Sequence, residues 1–206
     1  MKNRSKALLL ALCALMLVVT TVFTTLAYLT DTKSVVNTFT VGNVKITLTE
    51  SATDEYGEVT GETITAAVDT TGNNYRLVPG RTYTKDPKIT VVTGSEDSYL
   101  FVKVVNEITD IAITETVGEA KTIADQMSAY GWSQLTVEGT PVQNVYVKAG
   151  TVTGGTTVSV FDEVTIKSDA VLTDTYTDAE IAITAYAVQA DGFNTAEAAW
   201  TAANFS

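Results

Sequence analysis

Along most of the chain, apolar and polar positions alternate with a period of two. In "VKITLT" Val44, Ile46 and Leu48 fall on one face, and in "TITAAV" Ile64 and Ala66 do the same. The pattern recurs in "KITVV" (88–92), "YLFVKVV" (99–105), "WSQLTV" (132–137), "NVYVKA" (144–149), "TVSVFDEVTI" (157–166) and "IAITAYAVQA" (181–190). Such alternation marks strands with one face on a core. Turn chemistry separates the runs, at 54–61, 72–74, Pro79-Gly80, 94–97, Gly118, 139–141 and 150–155, because Gly accepts a positive φ and Pro fixes its own. Many short strands divided this way predict an all-β fold, an antiparallel β-sandwich.

Two stretches change period. In "AKTIADQMSAY" (120–130) Ile123, Met127 and Tyr130 recur at helical spacing. "NTAEAAWTAANF" (194–205) is alanine-rich, with Asn194 placed to cap its first turn and Glu197 to reach back in a capping box. These predict one or two short helices attached to the sandwich.

Ahead of the first strand the pattern is continuously apolar. Lys2, Arg4 and Lys6 form a basic start, 7–19 an apolar run, and Thr25-Leu26-Ala27 a small-x-small junction. This is the layout of a secretory signal peptide covering 1–27, cut before Tyr28. A membrane anchor is the alternative, since 7–27 is about long enough to cross a bilayer, but Thr20, Thr21, Thr24 and Thr25 dilute its second half.

From Tyr28 to Val41 there is neither Pro nor Gly, and Thr30, Thr32, Val35, Val36, Thr38, Thr40 and Val41 supply β-branched side chains. Such a segment can pair along its whole length and suits strand addition to another sheet. Val35, Phe39 and Val41 have the parity opposite to Val44, Ile46 and Leu48, so Gly42-Asn43 reads as a bulge or hinge where the inward face switches. The boundary falls between Asn37 and Gly42, dividing an arm at 28–40 from a sandwich domain at 41–206. The bland alternative is that 29–41 forms the first strand of its own sheet.

Composition narrows the chemistry. Threonine makes up roughly one residue in six, in keeping with pleated surfaces. With 13 Lys+Arg against 24 Asp+Glu the net charge is -11, and no basic cluster exists beyond the first six residues, which argues against nucleic acid. There is no His, and the one Cys, Cys13, lies in the apolar run. Nucleophilic systems built on Ser-His-Asp or Cys-His, and zinc helices of the H-E-x-x-H type, are therefore excluded. Glu96-Asp97 and Asp162-Glu163 read as charged surface rather than catalytic pairs. The acidic loops 54–58 and 173–180 offer oxygen ligands to calcium but lack EF-hand spacing. Trp132 and Trp200 sit in periodic segments and read as core. No catalytic residue, metal ligand or cofactor site is assigned.

Three stretches together carry a family resemblance: "AYLTDTKSVVNTFTVGNVKITLTE" (27–50), "LVPGRTYTKDPKITV" (77–91) and "ITAYAVQADGFNTAEAAW" (183–200). In these the chain resembles the TasA/camelysin family, whose members are processed by a SipW-type signal peptidase. The resemblance implies a jelly-roll-like sandwich, secretion from a Gram-positive-type cell, and a structural role in extracellular biofilm-matrix fibres. It also implies assembly with further copies of the same chain, head to tail by donor-strand exchange, with Tyr28, Leu29, Thr30, Val35 and Val36 in the donated strand; other matrix proteins are possible partners. Two other classes compete: a surface adhesin or carbohydrate-binding sandwich using loops such as 150–155, and the peptidase label given to some camelysin-like relatives. A chain without His lacks the usual zinc donor for the latter.

Overall fold

A computed structural model describes residues 30–33, 44–66, 72–176 and 178–205. The signal segment 1–27, its junction at Thr25, Ala27 and Tyr28, and Leu29, Val35, Val36, Gly42 and Asn43 lie outside the described residues.

The fold is an all-β antiparallel sandwich, with two short α-helices among the described residues. A five-stranded sheet joins β1 (Thr30–Lys33), β11 (Ile181–Gln189), β6 (Ser98–Asn106), β8 (Thr140–Lys148) and β7 (Trp132–Val137), in that order. A four-stranded sheet joins β3 (Val59–Thr65), β2 (Ile46–Thr53), β5 (Lys88–Val91) and β9 (Thr157–Ser159). A small third sheet pairs β10 (Glu163–Thr165) with β4 (Thr82–Thr84). The helices are α1 (Ile123–Ala129) and α2 (Ala196–Ala203). First and last strands are neighbours in the larger sheet, a jelly-roll-like arrangement.

The main core lies between the sheets and is built from the alternation seen in the sequence. Val44, Ile46 and Leu48 are buried there with Ile89, Val91, Leu100, Val102, Ala185 and Ala187. The strands β6 and β11 also bury their other face. Phe101, Tyr186 and Val188 point into a second cluster, roofed by Ala199 and Trp200 of α2 and by Phe205. This is why "YLFVKVV" and "AYAV" read as nearly continuous apolar runs: both faces of these strands are covered.

Local chemistry explains the element ends. In α1 the Thr122 hydroxyl accepts from Asp125 N at 3.0 Å and donates to the Asp125 carboxylate at 2.8 Å, and Met127 is buried while Tyr130 stays partly exposed. The β7–β8 hairpin turns on Glu138 and Gly139, both at positive φ (51° and 77°), the backbone that a two-residue I′ turn requires. The expected capping box is not what closes α2. Thr195, in extended backbone (φ -143°, ψ 152°), is the cap and accepts from Ala198 N, while Glu197 instead accepts from Glu138 N at 2.6 Å and ties the hairpin tip to the helix.

Three further differences from the sequence reading have physical causes. The run 157–166 is two strands in two sheets, β9 on β5 and β10 on β4. Between them the Oε1 of buried Gln126 accepts from Asp162 N and Glu163 N at 2.9 and 3.1 Å, replacing the ladder where the chain changes sheets. The short strand β4 was hidden in a polar stretch, "RTYTK", in which Tyr83 alone is a buried hydrophobe. Finally, Thr30–Lys33 of the arm are paired with β11 of their own chain. For these four residues the structure has the first-strand arrangement, rather than an arm without a place in its own molecule.

Candidate functional site at the sheet edge

The register of β1 on β11 is Thr30 with Val188, Asp31 with Ala187, Thr32 with Tyr186 and Lys33 with Ala185. On its other side β11 pairs with β6 along its full length, Ile181 with Asn106 through Gln189 with Ser98. Among the described residues, β1 therefore covers only Ala185–Val188 on the outer side of a nine-residue strand. Ala185, Ala187 and Val188 are fully buried. A vacated β1 position would leave the backbone N–H and C=O groups of this stretch unpaired against a finished core, which is a template for another strand.

The Ile181–Ile183 end of β11, which pairs with no other described strand on its outer side, lines a cleft of about 580 Å³. Ile181 and Ile183 form one wall, and Leu48 and Ile64 of the opposite sheet another. A polar cluster sits at its side. Segment 72–78, which follows β3, crosses the end of β2 as an extended strap with no ladder of its own and is held by specific bonds. Asn73 Oδ1 accepts from Thr53 N at 2.8 Å and its Nδ2 donates to Ser51 O at 2.9 Å. Tyr75 Oη donates to Thr84 O at 2.7 Å, and Arg76 N to Glu55 O at 2.7 Å. Tyr83 Oη donates to Arg76 O at 2.6 Å and accepts from Val78 N at 2.7 Å.

Glu50 is the hub of the cluster. Its Oε1 accepts from Asn73 Nδ2 at 3.1 Å and from Lys85 Nζ at 3.2 Å, while Oε2 accepts from Lys85 Nζ at 3.1 Å. The side chains of Lys85 and Glu50 are only 12% and 14% exposed. Tyr75 Oη lies 3.4 Å from Glu50 Oε1; burial, reinforced by the Glu50 charge, pushes its phenol well above the ordinary value. One strand position further on, Asp86 accepts from Ser51 N and Ser51 Oγ, both at 2.8 Å, and from Lys88 Nζ at 2.5 Å. Burial works to raise the Asp86 pKa, but these bonds and the Lys88 charge outweigh it and hold the carboxyl below its usual range.

Of the residues singled out in the sequence, Thr30 is the one the structure sets at this edge, opposite Val188. Trp132 and Trp200 are core: Trp132 Nε1 donates to Ser159 O at 2.8 Å, and Trp200 stacks in the second cluster. In the loop considered for calcium, Asp54 Oδ1 accepts from Tyr56 N and Glu58 N, each at 2.9 Å, and so closes the turn between β2 and β3. Among the described residues no group of three His, Cys, Asp or Glu is disposed to hold a metal, and no helix is long and apolar enough to cross a membrane. Loop 150–155 is tied down by Gly155 N donating to Val91 O at 2.7 Å and Val152 N to Ser98 O at 2.8 Å, while Gly150, Thr151, Thr153 and Gly155 stay exposed. Asp162 accepts from the Tyr130 hydroxyl. Sequence reasoning missed Glu50, Asn73 and Lys85, which lie 23 and 35 residues apart and carry no spacing signal.

Comparison with family models, with curated proteins and with solved structures finds no match to this chain.

Proposed function

We propose that this protein is a secreted structural subunit of extracellular biofilm-matrix fibres, and that it assembles head to tail by exchange of its first strand after signal-peptide cleavage. The observation that supports this best is the position of β1. It is an edge strand of the larger sheet, and among the described residues Thr30–Lys33 pair with β11 alone. Each hydrogen bond of such a ladder is worth roughly 0.5–1.5 kcal/mol net. Ordering each residue of the strand costs about 1–2 kcal/mol. The two are of similar size per residue, so a strand at this edge can leave its own sheet at little net cost and take the same place in a neighbour. Such a transfer joins unlike surfaces and does not close on itself, which builds filaments.

The test uses the form beginning at Tyr28, which has no cysteine of its own, carrying Asp31→Cys and Ala187→Cys. These residues are Cα partners in the β1–β11 ladder, and opposed antiparallel residues lie within disulfide reach. Under oxidation, exchange gives a ladder of covalent multimers on a non-reducing gel, and a version lacking 28–36 stays monomeric. Cross-linked monomer alone, at concentrations where filaments are seen by electron microscopy, would refute the proposal.

A further inference from the structure

The cluster at the cleft holds three side chains in the order that amide exchange requires. Lys85 supplies an amine, Asn73 a carboxamide, and Glu50 a carboxylate touching both. Nucleophile and leaving nitrogen share one oxygen: Glu50 Oε1 is 3.2 Å from Lys85 Nζ and 3.1 Å from Asn73 Nδ2. The third need is a donor at the carbonyl oxygen, where negative charge develops in the transition state. Thr53 N provides it, 2.8 Å from Asn73 Oδ1. Ser51 O, 2.9 Å from Nδ2, fixes the plane of the amide so that its two ends cannot interchange.

A carboxylate that only neutralised a lysine would not require this orientation. Lys85 and Glu50 are nearly withdrawn from water, and the flexible lysine stem lets Nζ turn from the shared oxygen toward Asn73 Cγ, whose Nδ2 sits on that same oxygen.

We infer that Glu50 promotes an intramolecular amide bond between the side chains of Lys85 and Asn73, with release of ammonia. Glu50 takes one proton from the Lys85 ammonium, and the freed electron pair of Nζ attacks Cγ of Asn73 while Thr53 N–H holds the oxyanion. A second proton of Nζ passes through the same carboxylate to Nδ2, the Cγ–Nδ2 bond breaks, and the nitrogen leaves as ammonia. The proton first held by Glu50 leaves with it as ammonium, so the carboxylate is regenerated and the chain loses one positive charge. No oxidant, metal or cofactor enters the balance. The product clamps the strap at 72–78 to the turn between β4 and β5, closing a covalent ring over residues 73–85. The inference is independent of strand exchange and holds for a monomer as for a fibre.

Mass spectrometry of the purified full-length or signal-cleaved chain tests it directly. The intact mass should fall about 17 Da below that of the sequence, one ammonia. Arg76 and Arg81 lie between the two residues, so trypsin should release a branched peptide in which the segment ending at Arg76 stays joined to the one containing Lys85, with no cleavage after Lys85. Glu50→Gln and Lys85→Arg should each restore the full mass. An intact mass equal to the sequence overturns the inference, as does a 17 Da deficit without the branched peptide, which would place the lost ammonia elsewhere. The measurement on the unaltered chain decides the matter even if a variant fails to fold.

Discussion

Replacing Trp200 with Ala tests how the second cluster holds the larger sheet. The indole is 9% exposed, and its ring centroid lies 5.0 Å from Phe101, 5.5 Å from Tyr186 and 5.0 Å from Phe205. Truncating a buried Trp costs about 3–5 kcal/mol. Each aromatic pair adds about 0.5–1.5 kcal/mol beyond burial, so the upper part of that range applies, about 4 kcal/mol. The helix has eight residues, too few to persist in water without its buried face, so its other contacts weaken with the indole. In a domain of this size about 4 kcal/mol corresponds to a fall in Tm of roughly 8–16 °C. Trp132, buried in the other cluster, remains as a fluorescence probe, and guanidinium unfolding should show a lower midpoint with an unchanged slope. Trp200→Phe should recover more than half of the loss. A shift below about 1 kcal/mol in Trp200→Ala would mean that α2 is not what covers Phe101 and Tyr186, and the account of the second cluster would fail.

Three other outcomes follow from single contacts. The folded pKa of Asp86 is depressed, so its contribution is fully present above the unfolded value of about 3.9 and is lost as pH falls through the folded value. Asp86→Asn should therefore lower stability by about 1.5–3 kcal/mol at neutral pH and flatten the fall in stability below about pH 4, read by urea unfolding across pH. Gly154→Ala would set a Cβ 2.6 Å from Ser95 O and 3.2 Å from Val92 O, both backbone, and should cost about 1–3 kcal/mol by the same assay. Thr195→Ala removes the acceptor of Ala198 N and should cost about 1 kcal/mol, whereas Asn194→Ala should change stability far less.

What was legible in the sequence was what is periodic. The inward set Val44, Ile46 and Leu48, the long strands β6 and β11, and the helical face of Ile123 and Met127 follow from spacing alone, because burial selects one face of a regular element. What was hidden depends on partners far along the chain. Nothing within 157–166 announces that Gln126, from a separate helix, takes two of its amides. Asn194 is by type a somewhat better cap residue than Thr195, and only the backbone decides for Thr195. The Glu50, Asn73 and Lys85 cluster is assembled by the strap crossing β2, a tertiary event with no local signature. The strand at Thr30–Lys33 fits the β-branched content of its segment, but its place beside β11 was not legible, since any exposed edge satisfies the same pattern.

The pairing of first strand with last has a kinetic consequence. Synthesis delivers β1 before any other described element of the sandwich, and its partner β11 is the last described strand to emerge. Among the described strand pairings this one has the greatest sequence separation, the kind of contact that forms slowly. For that interval the ladder that β1 joins does not yet exist in its own molecule. Under the proposed strand exchange, the local concentration of finished copies, rather than any difference in affinity, would set which molecule captures it first.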